Sequence, residues 1–349
     1  MTGTIFGTRI IAAPMAGGTS TPRFVQAAHQ AGGLGFLAAG YKTVAAMQSD
    51  IREVRSAGAR FGMNLFVPDR TQLNPPPAVR EQLENYRRNL EPDAGRYGVA
   101  LPGLRLDDDD EWQGKIDALL ADPVEFVSFT FGLPEQAEVR ALKRAGSTII
   151  ATVTSPAEAS LAVERGADIL VIQHGSAGGH SAAFLAREST TDSPGPATTA
   201  ELLAAVRTAV GVPLVAAGGI MDSTNLDSVL AAGATAAQLG TAFLRSDESG
   251  ARQLHKDALA SQSFTETRLT RAFTGRQARA LVNSFVRDHG DAPEGYPALH
   301  HLTAPIRAAA AAAGDPERLN LWAGTGWRKA EAGPVSDIIN RMLAGSAFS

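Results

Sequence analysis

The stretch Ile169–Ala182, ILVIQHGSAGGHSA, decides how the rest of the chain is read. A continuous apolar run ends at Gln173, and the small residues Gly175-Ser176-Ala177-Gly178-Gly179 carry the chain on to His180. Such a run predicts a strand buried on both faces of a parallel sheet. The Gly178-Gly179 pair at its carboxyl end leaves backbone N–H groups open to a planar or anionic ligand, with no Cβ in the way. His180 then stands at the mouth of whatever the strand belongs to, with a ring that exchanges a proton near neutral pH. The plainer reading of this segment alone is a βα turn with a surface histidine.

Seven more runs of the same kind surround it. Arg9–Ala16, Gly33–Gly40, Phe61–Val67, Phe126–Gly132 and Thr148–Val153 precede it, and Pro213–Gly219 and Ala236–Leu244 follow. Helical patterns separate them, at Pro22–Ala31, Ala45–Ala57, Glu135–Ala145, Pro156–Arg165, Thr199–Val210 and Ser223–Ala232. Several open at Ser, Thr or Pro and close at Gly, as from Ser155-Pro156 to Gly166. Eightfold strand–helix alternation predicts an α/β fold, a (β/α)8 TIM barrel over residues 1–263. A doubly wound open sheet competes, but polar and glycine residues gather at the carboxyl end of nearly every run, where a barrel builds its single site.

Two segments interrupt the repeat. Residues 68–113 form a long loop with Pro75-Pro76-Pro77, a helical stretch at Glu81–Asn89 and the acidic run Asp107–Glu111. That run reads as a solvated loop and not a metal site, because adjacent carboxylates cannot all face one ion. Residues 264–325, with the alanine-rich Ile306–Ala313, read as a smaller, mostly helical lid or substrate domain inserted after the last strand. Residues 326–349 are expected to return to the barrel as a helix.

Composition narrows the function. The 349 residues are 44% hydrophobic and 19% charged, as in an ordered soluble enzyme. A net charge of −4 without a basic block gives no footprint for nucleic acid or an anionic membrane. The absence of cysteine removes disulfides, zinc–thiolate sites and cysteine nucleophiles, and no metal site is expected. Without a leader pattern or a bilayer-length apolar stretch, the expectation is a cytoplasmic monomer or homodimer acting on small molecules.

The strand ends carry the chemistry. Gly218-Gly219 after the seventh run and Gly240-Thr241 after the eighth make the paired loops that cradle a phosphate in such barrels. Ala13-Pro14-Met15 closes the first run, Asn64 lies in the third, and Gln173 and Gln238 end the sixth and eighth. A buried amide without a partner costs about 1–3 kcal/mol, so three aimed at one rim call for a ligand rich in donors and acceptors. An isoalloxazine has such an edge, with a flat face to lie against Met15 and Gly178-Gly179.

These motifs together resemble the nitronate monooxygenase family (formerly 2-nitropropane dioxygenases), in its bacterial class I branch. The resemblance spans nearly the whole chain: APMAG at 13–17, GGLGFLAAGY at 32–41, FGMNLFVP at 61–68, SFTFGLP at 128–134, AGGH at 177–180, AAGGI at 216–220, QLGTAFL at 238–244 and NLWAG at 320–324. It implies an FMN-dependent enzyme that oxidises alkyl nitronates, such as propionate 3-nitronate, with molecular oxygen. By the same resemblance Gln173, Gly178, Gly218 and the turn Gln238, Leu239, Gly240, Thr241 contact FMN, and His180 is catalytic. This chain has Ser181-Ala182 after AGGH and Thr325-Gly326 after NLWAG, where the family often has Arg-Gly and Gln-Gly. Both departures bear on substrate preference.

His180 has two possible roles on these grounds. Protonated or hydrogen-bonding, it would steady the nitronate oxygens; neutral, it could take the α-proton of a nitroalkane. Tyr296 is a candidate for the substrate pocket, while His300-His301 read as structural and Trp322 and Trp327 as core anchors. Two other functions compete: an FMN-dependent NAD(P)H reductase of enoyl-thioesters or quinones, and a flavin-free phosphate-binding barrel. No GxGxxG follows a first strand, which weakens the pyridine-nucleotide case.

Overall fold

The computed structural model describes residues 5–71, 75–185 and 196–348. Eight parallel strands close into a barrel: β1 Ile10–Ala12, β2 Leu34–Ala38, β3 Phe61–Phe66, β4 Phe126–Thr130, β5 Thr148–Val153, β6 Ile169–Gln173, β8 Leu214–Ala217 and β9 Ala236–Leu239. Closure is made where Ile11 of β1 pairs with Gln238 of β9. All eight runs read from the sequence are these strands, and helices lie between them. The helices begin as their sequences ask: the side chains of Thr21, Thr43, Ser155, Thr198 and Asp222 each accept a backbone N–H from the first turn.

Alternation along the strands sorts the apolar side chains into two layers. Ile11, Leu34, Phe36, Ile150, Val171 and Val215 fill the barrel interior with Phe6 and Phe126. Ile10, Leu37, Leu65, Val127, Leu170 and Ile172 point the other way, into the helix layer. The helix Val335–Ala344 packs on the barrel helices Pro22–Gln30 and Ser223–Ala231.

Residues beyond the barrel make a second body of packing. The helix Pro77–Asn89, in the excursion after β3, places Leu83 and Tyr86 against Phe273, Phe285, Leu299 and Leu302 in one apolar cluster. The excursion is therefore built together with the 264–325 segment, and the Tyr86 hydroxyl donates to the Ala272 carbonyl at 2.6 Å. That later segment also holds a hairpin not named from the sequence, β10 Thr267–Thr270 and β11 Ala278–Leu281. Its edge pairs antiparallel with β7, Gly179–His180, so His180 is pinned opposite Ala278.

The acidic run is a loop with Asp107, Asp109 and Glu111 exposed, as its composition suggests, but three of its carboxylates are also tied to the fold. Asp108 accepts from His301 at 2.6 Å, Asp110 accepts the Tyr41 backbone N–H at 2.9 Å and meets Lys115 at 2.8 Å, and Glu111 accepts from Val44 N at 2.8 Å. The Asp110–Lys115 contact is close without being aligned as a hydrogen bond. The bond from His301 holds Asp108 down to about 2, whereas burial pushes Asp110 up to about 6. The run clasps the excursion to the helix Ala298–Ala312 on one side and to the loop after β2 on the other. Lys115 apart, these partners are 67 to 193 residues away and leave no local signal.

Candidate active site

The carboxyl ends of the strands open into a cavity of about 290 Å³, near the low end for small-molecule sites. The Ala13-Pro14-Met15 turn, Asn64, Gln173, Gly178-Gly179, Gly218-Gly219 and the Gln238–Thr241 turn all line it, and so does His180. Tyr296 is not among its lining residues; it packs behind His180, with ring centroids 6.0 Å apart.

The polar groups at the rim divide by what they already hold. Asn64 donates to the Ser128 and Thr130 hydroxyls of β4 at 2.9 and 3.0 Å. Gln173 uses both ends of its amide on the loop beyond: Nε2 donates to the His180 carbonyl at 3.1 Å, and Oε1 accepts from Ala182 N at 2.8 Å. Gln173 thus fixes the loop that carries His180. Gln238 makes no side-chain hydrogen bond among the described residues, although it is half-buried and lines the cavity. The backbone N–H groups of Gly218, Gly219, Gly240 and Thr241 likewise find no protein acceptor among the described residues.

The glycines separate in the same way. A Cβ on Gly178 would lie 2.5 Å from Gly324 N and 2.6 Å from Ala323 C, so this glycine lets the NLWAG segment close over the loop. Gly218 and Gly219 take φ of +109° and +71°, values that favour glycine. Gly240 has an ordinary φ of −110°, and a Cβ there would meet only Ala13 and Met15 at 3.7 and 3.8 Å. The packing of the protein does not itself require a glycine at 240, which lines the cavity. Beside it, the Thr241 hydroxyl accepts from Gly324 N at 3.0 Å and keeps its own proton to donate.

His180 sits among Phe131, Trp322 and Tyr296, with ring centroids 5.6, 5.3 and 6.0 Å away. Its Nε2 is 2.9 Å from the Thr274 hydroxyl. Burial, with the positive charges of Arg276 and Arg307 adding to it, pushes the imidazole down to about 3, so it is neutral at neutral pH. His180 is half-buried and lines the cavity. Arg276 is committed elsewhere: its guanidinium bonds the Ser181 and Ala183 carbonyls and lies 4.0 Å over the Phe131 ring.

Several lining residues were not identified from the sequence. Trp322, read as a core anchor, lines the cavity, whereas Trp327 is buried as expected. His300 also lines it, stacked on Tyr41 at 4.0 Å with the planes 1° apart. Burial pushes Tyr41 up to about 12, and its hydroxyl faces Tyr296 outside hydrogen-bonding geometry. Arg307 reaches the cavity from the alanine-rich helix. Its signal was visible: it is the one Asp, Glu, Lys or Arg between His301 and Asp315.

A parallel barrel with free N–H groups at its last two strand ends and a neutral imidazole walled by aromatic rings defines a small-molecule enzyme with a ligand-binding carboxyl face. The nitronate monooxygenase family model matches residues 1–345, and the chain belongs to that family of oxidoreductases. A probable nitronate monooxygenase of Staphylococcus aureus (strain MSSA476) is 34% identical over 339 residues, covering 96% of this chain and 93% of its own. The solved structure of nitroalkane oxidase from Streptomyces ansochromogenes is similar at a TM-score of 0.90 and 46% identity, over 99% of this chain and 97% of that one. FabK from Thermotoga maritima, with a TM-score of 0.73 and 24% identity over 98% and 93% of the two chains, shares the fold. Among the described residues no helix is long and apolar enough to cross a membrane.

Proposed function

We propose that this enzyme oxidises alkyl nitronates with molecular oxygen, using FMN held at the carboxyl face of the barrel, and releases a carbonyl product with nitrite or nitrate. The observation that carries the cofactor reading is the set of unused groups on one cavity wall: four free N–H donors, the Gln238 amide and the side-chain space left open at Gly240. A phosphate suits the N–H groups of Gly218, Gly219, Gly240 and Thr241, and the edge of an isoalloxazine suits Gln238. Bound there, FMN would supply the electron acceptor that passes electrons from substrate to dioxygen.

The chain's own residues bind, orient and exclude water. Phe131, Trp322 and the Tyr41–His300 stack wall the space beside His180 with apolar surface. His180 is neutral, so it does not serve as a standing cation for the nitronate oxygens. It is also a weak base in the free site, which favours a substrate that arrives already ionised over a neutral nitroalkane. The pairing of β11 with His180 makes residues 264–325 a wall of the site more than a separate lid, since displacement of that segment would carry the catalytic loop with it.

The test is a visible spectrum followed by anaerobic mixing. A yellow protein bleached within seconds by a nitronate, and only slowly by NADH, supports the reading. Rapid bleaching by NADH alone would transfer the chain to the reductases, and a colourless protein that refuses FMN would remove the flavin.

A further inference from the structure

Arg307 carries a charge for which the described residues supply no counter-ion within salt-bridge distance. Two of its three nitrogen positions are engaged, Nε to the Thr303 hydroxyl at 3.1 Å and Nη2 to the His300 carbonyl at 2.9 Å. These bonds aim the guanidinium. Nη1 has no protein acceptor, and no carboxylate stands within 4.0 Å of the group, among the described residues. Burial lowers its pKa only to about 10, so it stays a cation at neutral pH. Drawing a guanidinium partly out of water with no opposite charge beside it has a desolvation cost, which an anion arriving in the cavity would offset.

The neighbouring arginines do not share the predicament. Arg276 is spread over two carbonyls and a phenyl ring, and Arg252, also at the cavity, is exposed to water. Arg307 is half-buried at the cavity with one edge of its guanidinium free, and its charge is felt by both His180 and Tyr41.

We propose that Arg307 is the anchor for the anionic end of the substrate, pairing through its free edge with the two oxygens of a nitronate, and afterwards with the nitrite or nitrate released. A nitronate presents an O–N–O fork of the same shape as a carboxylate, which a guanidinium meets with parallel N–H···O bonds. Pairing also removes the repulsion that Arg307 exerts on His180, so the imidazole becomes more basic when substrate is bound. The anchor thus couples occupancy of the site to the proton affinity of its histidine. This rests on the nitronate reading above for the identity of the anion, though not for its existence.

The experiment titrates sodium nitrate and sodium nitrite into the FMN-supplied protein at constant ionic strength, followed by flavin absorbance and calorimetry. Wild type is expected to bind both saturably. Arg307→Met should raise the Kd about 100-fold or more, as for a desolvated charge pair stripped of one partner. Arg307→Lys should recover part of the affinity; the KM for a nitronate should move in parallel while the Kd for FMN stays put. Absence of saturable binding in wild type overturns the anchor, whether or not the Met variant folds. So does a Met variant that binds nitrate like wild type, or one whose loss is confined to FMN. Nitrate binding lost with Arg307, in a protein that oxidises no nitronate, keeps the anion site and overturns only the nitronate assignment.

Discussion

Gly240→Ala separates a glycine kept for the fold from one kept for a ligand. The backbone φ of −110° is open to any residue, and the added methyl would rest 3.7 Å from Ala13 and 3.8 Å from Met15, ordinary contact distances. The folded protein therefore has no reason to object. Loss of backbone freedom in the unfolded chain should leave stability level or raise it by about 0.4–1 kcal/mol. The methyl does, however, enter space that we assign to FMN, and forcing a methyl into a filled site costs about 1–3 kcal/mol. At about 1.4 kcal/mol per decade that is a 5- to 150-fold rise in the Kd for FMN. The assay is FMN fluorescence quenching on flavin-stripped protein, paired with a melt of the same sample without FMN. An unchanged Kd with an unchanged Tm would show that the space before Gly240 is not the cofactor's. A large fall in Tm would show that the glycine serves packing after all.

Gly178→Ala should behave oppositely: its Cβ would overlap the backbone of Ala323 and Gly324, so Tm falls by several degrees, and an unaffected Tm would refute the close approach of that segment. His180→Asn should keep the yellow colour and the FMN affinity but lose most turnover, and an unchanged kcat/KM would remove the imidazole from the mechanism. Stability should decline as pH falls below about 6.5, the ordinary histidine value, because His180 and His255 are held down to about 3 and about 4 when folded and take up their protons on unfolding. Asp110, raised to about 6, works in the other direction, but as one group against two. Thermal melts between pH 7.5 and 5 check this; a flat profile contradicts the neutral burial of the two rings.

The barrel was legible because each strand ends in small or polar residues at a regular spacing, a pattern set by local sequence and by the one open face a barrel has. The rim residues were legible for the same reason, and all those named for the cofactor line one cavity. What each one does there was not. Gln173 and Gly178 read as ligand contacts and both line the cavity; the structure adds that the first holds the His180 loop and the second makes room for the NLWAG segment. The partners of Gln173 lie seven and nine residues on, across a loop whose path the sequence does not give, and those of Gly178 lie more than a hundred residues away. The β10–β11 hairpin escaped because its strands are short and carry arginines at Arg268 and Arg279. Composition gave only part of the acidic run: Asp107 and Asp109 are exposed, while Asp108, Asp110 and Glu111 are taken up by His301, Tyr41 N, Lys115 and Val44 N. Arg307 was overlooked inside a strong helix signal, although a lone cation in an alanine run is itself a signal.

The central claim is that one cavity at the barrel's carboxyl face lets a nitronate reduce a flavin and oxygen reclaim the electrons. Oxygen uptake by the FMN-supplied protein on addition of propionate 3-nitronate, in buffer free of NADH and with nitrite and nitrate quantified, tests it most directly. The account predicts prompt uptake that tracks nitrite plus nitrate formed and falls to a small fraction in His180→Asn. Uptake that requires NADH, or none with any nitronate while FMN is bound, would contradict it.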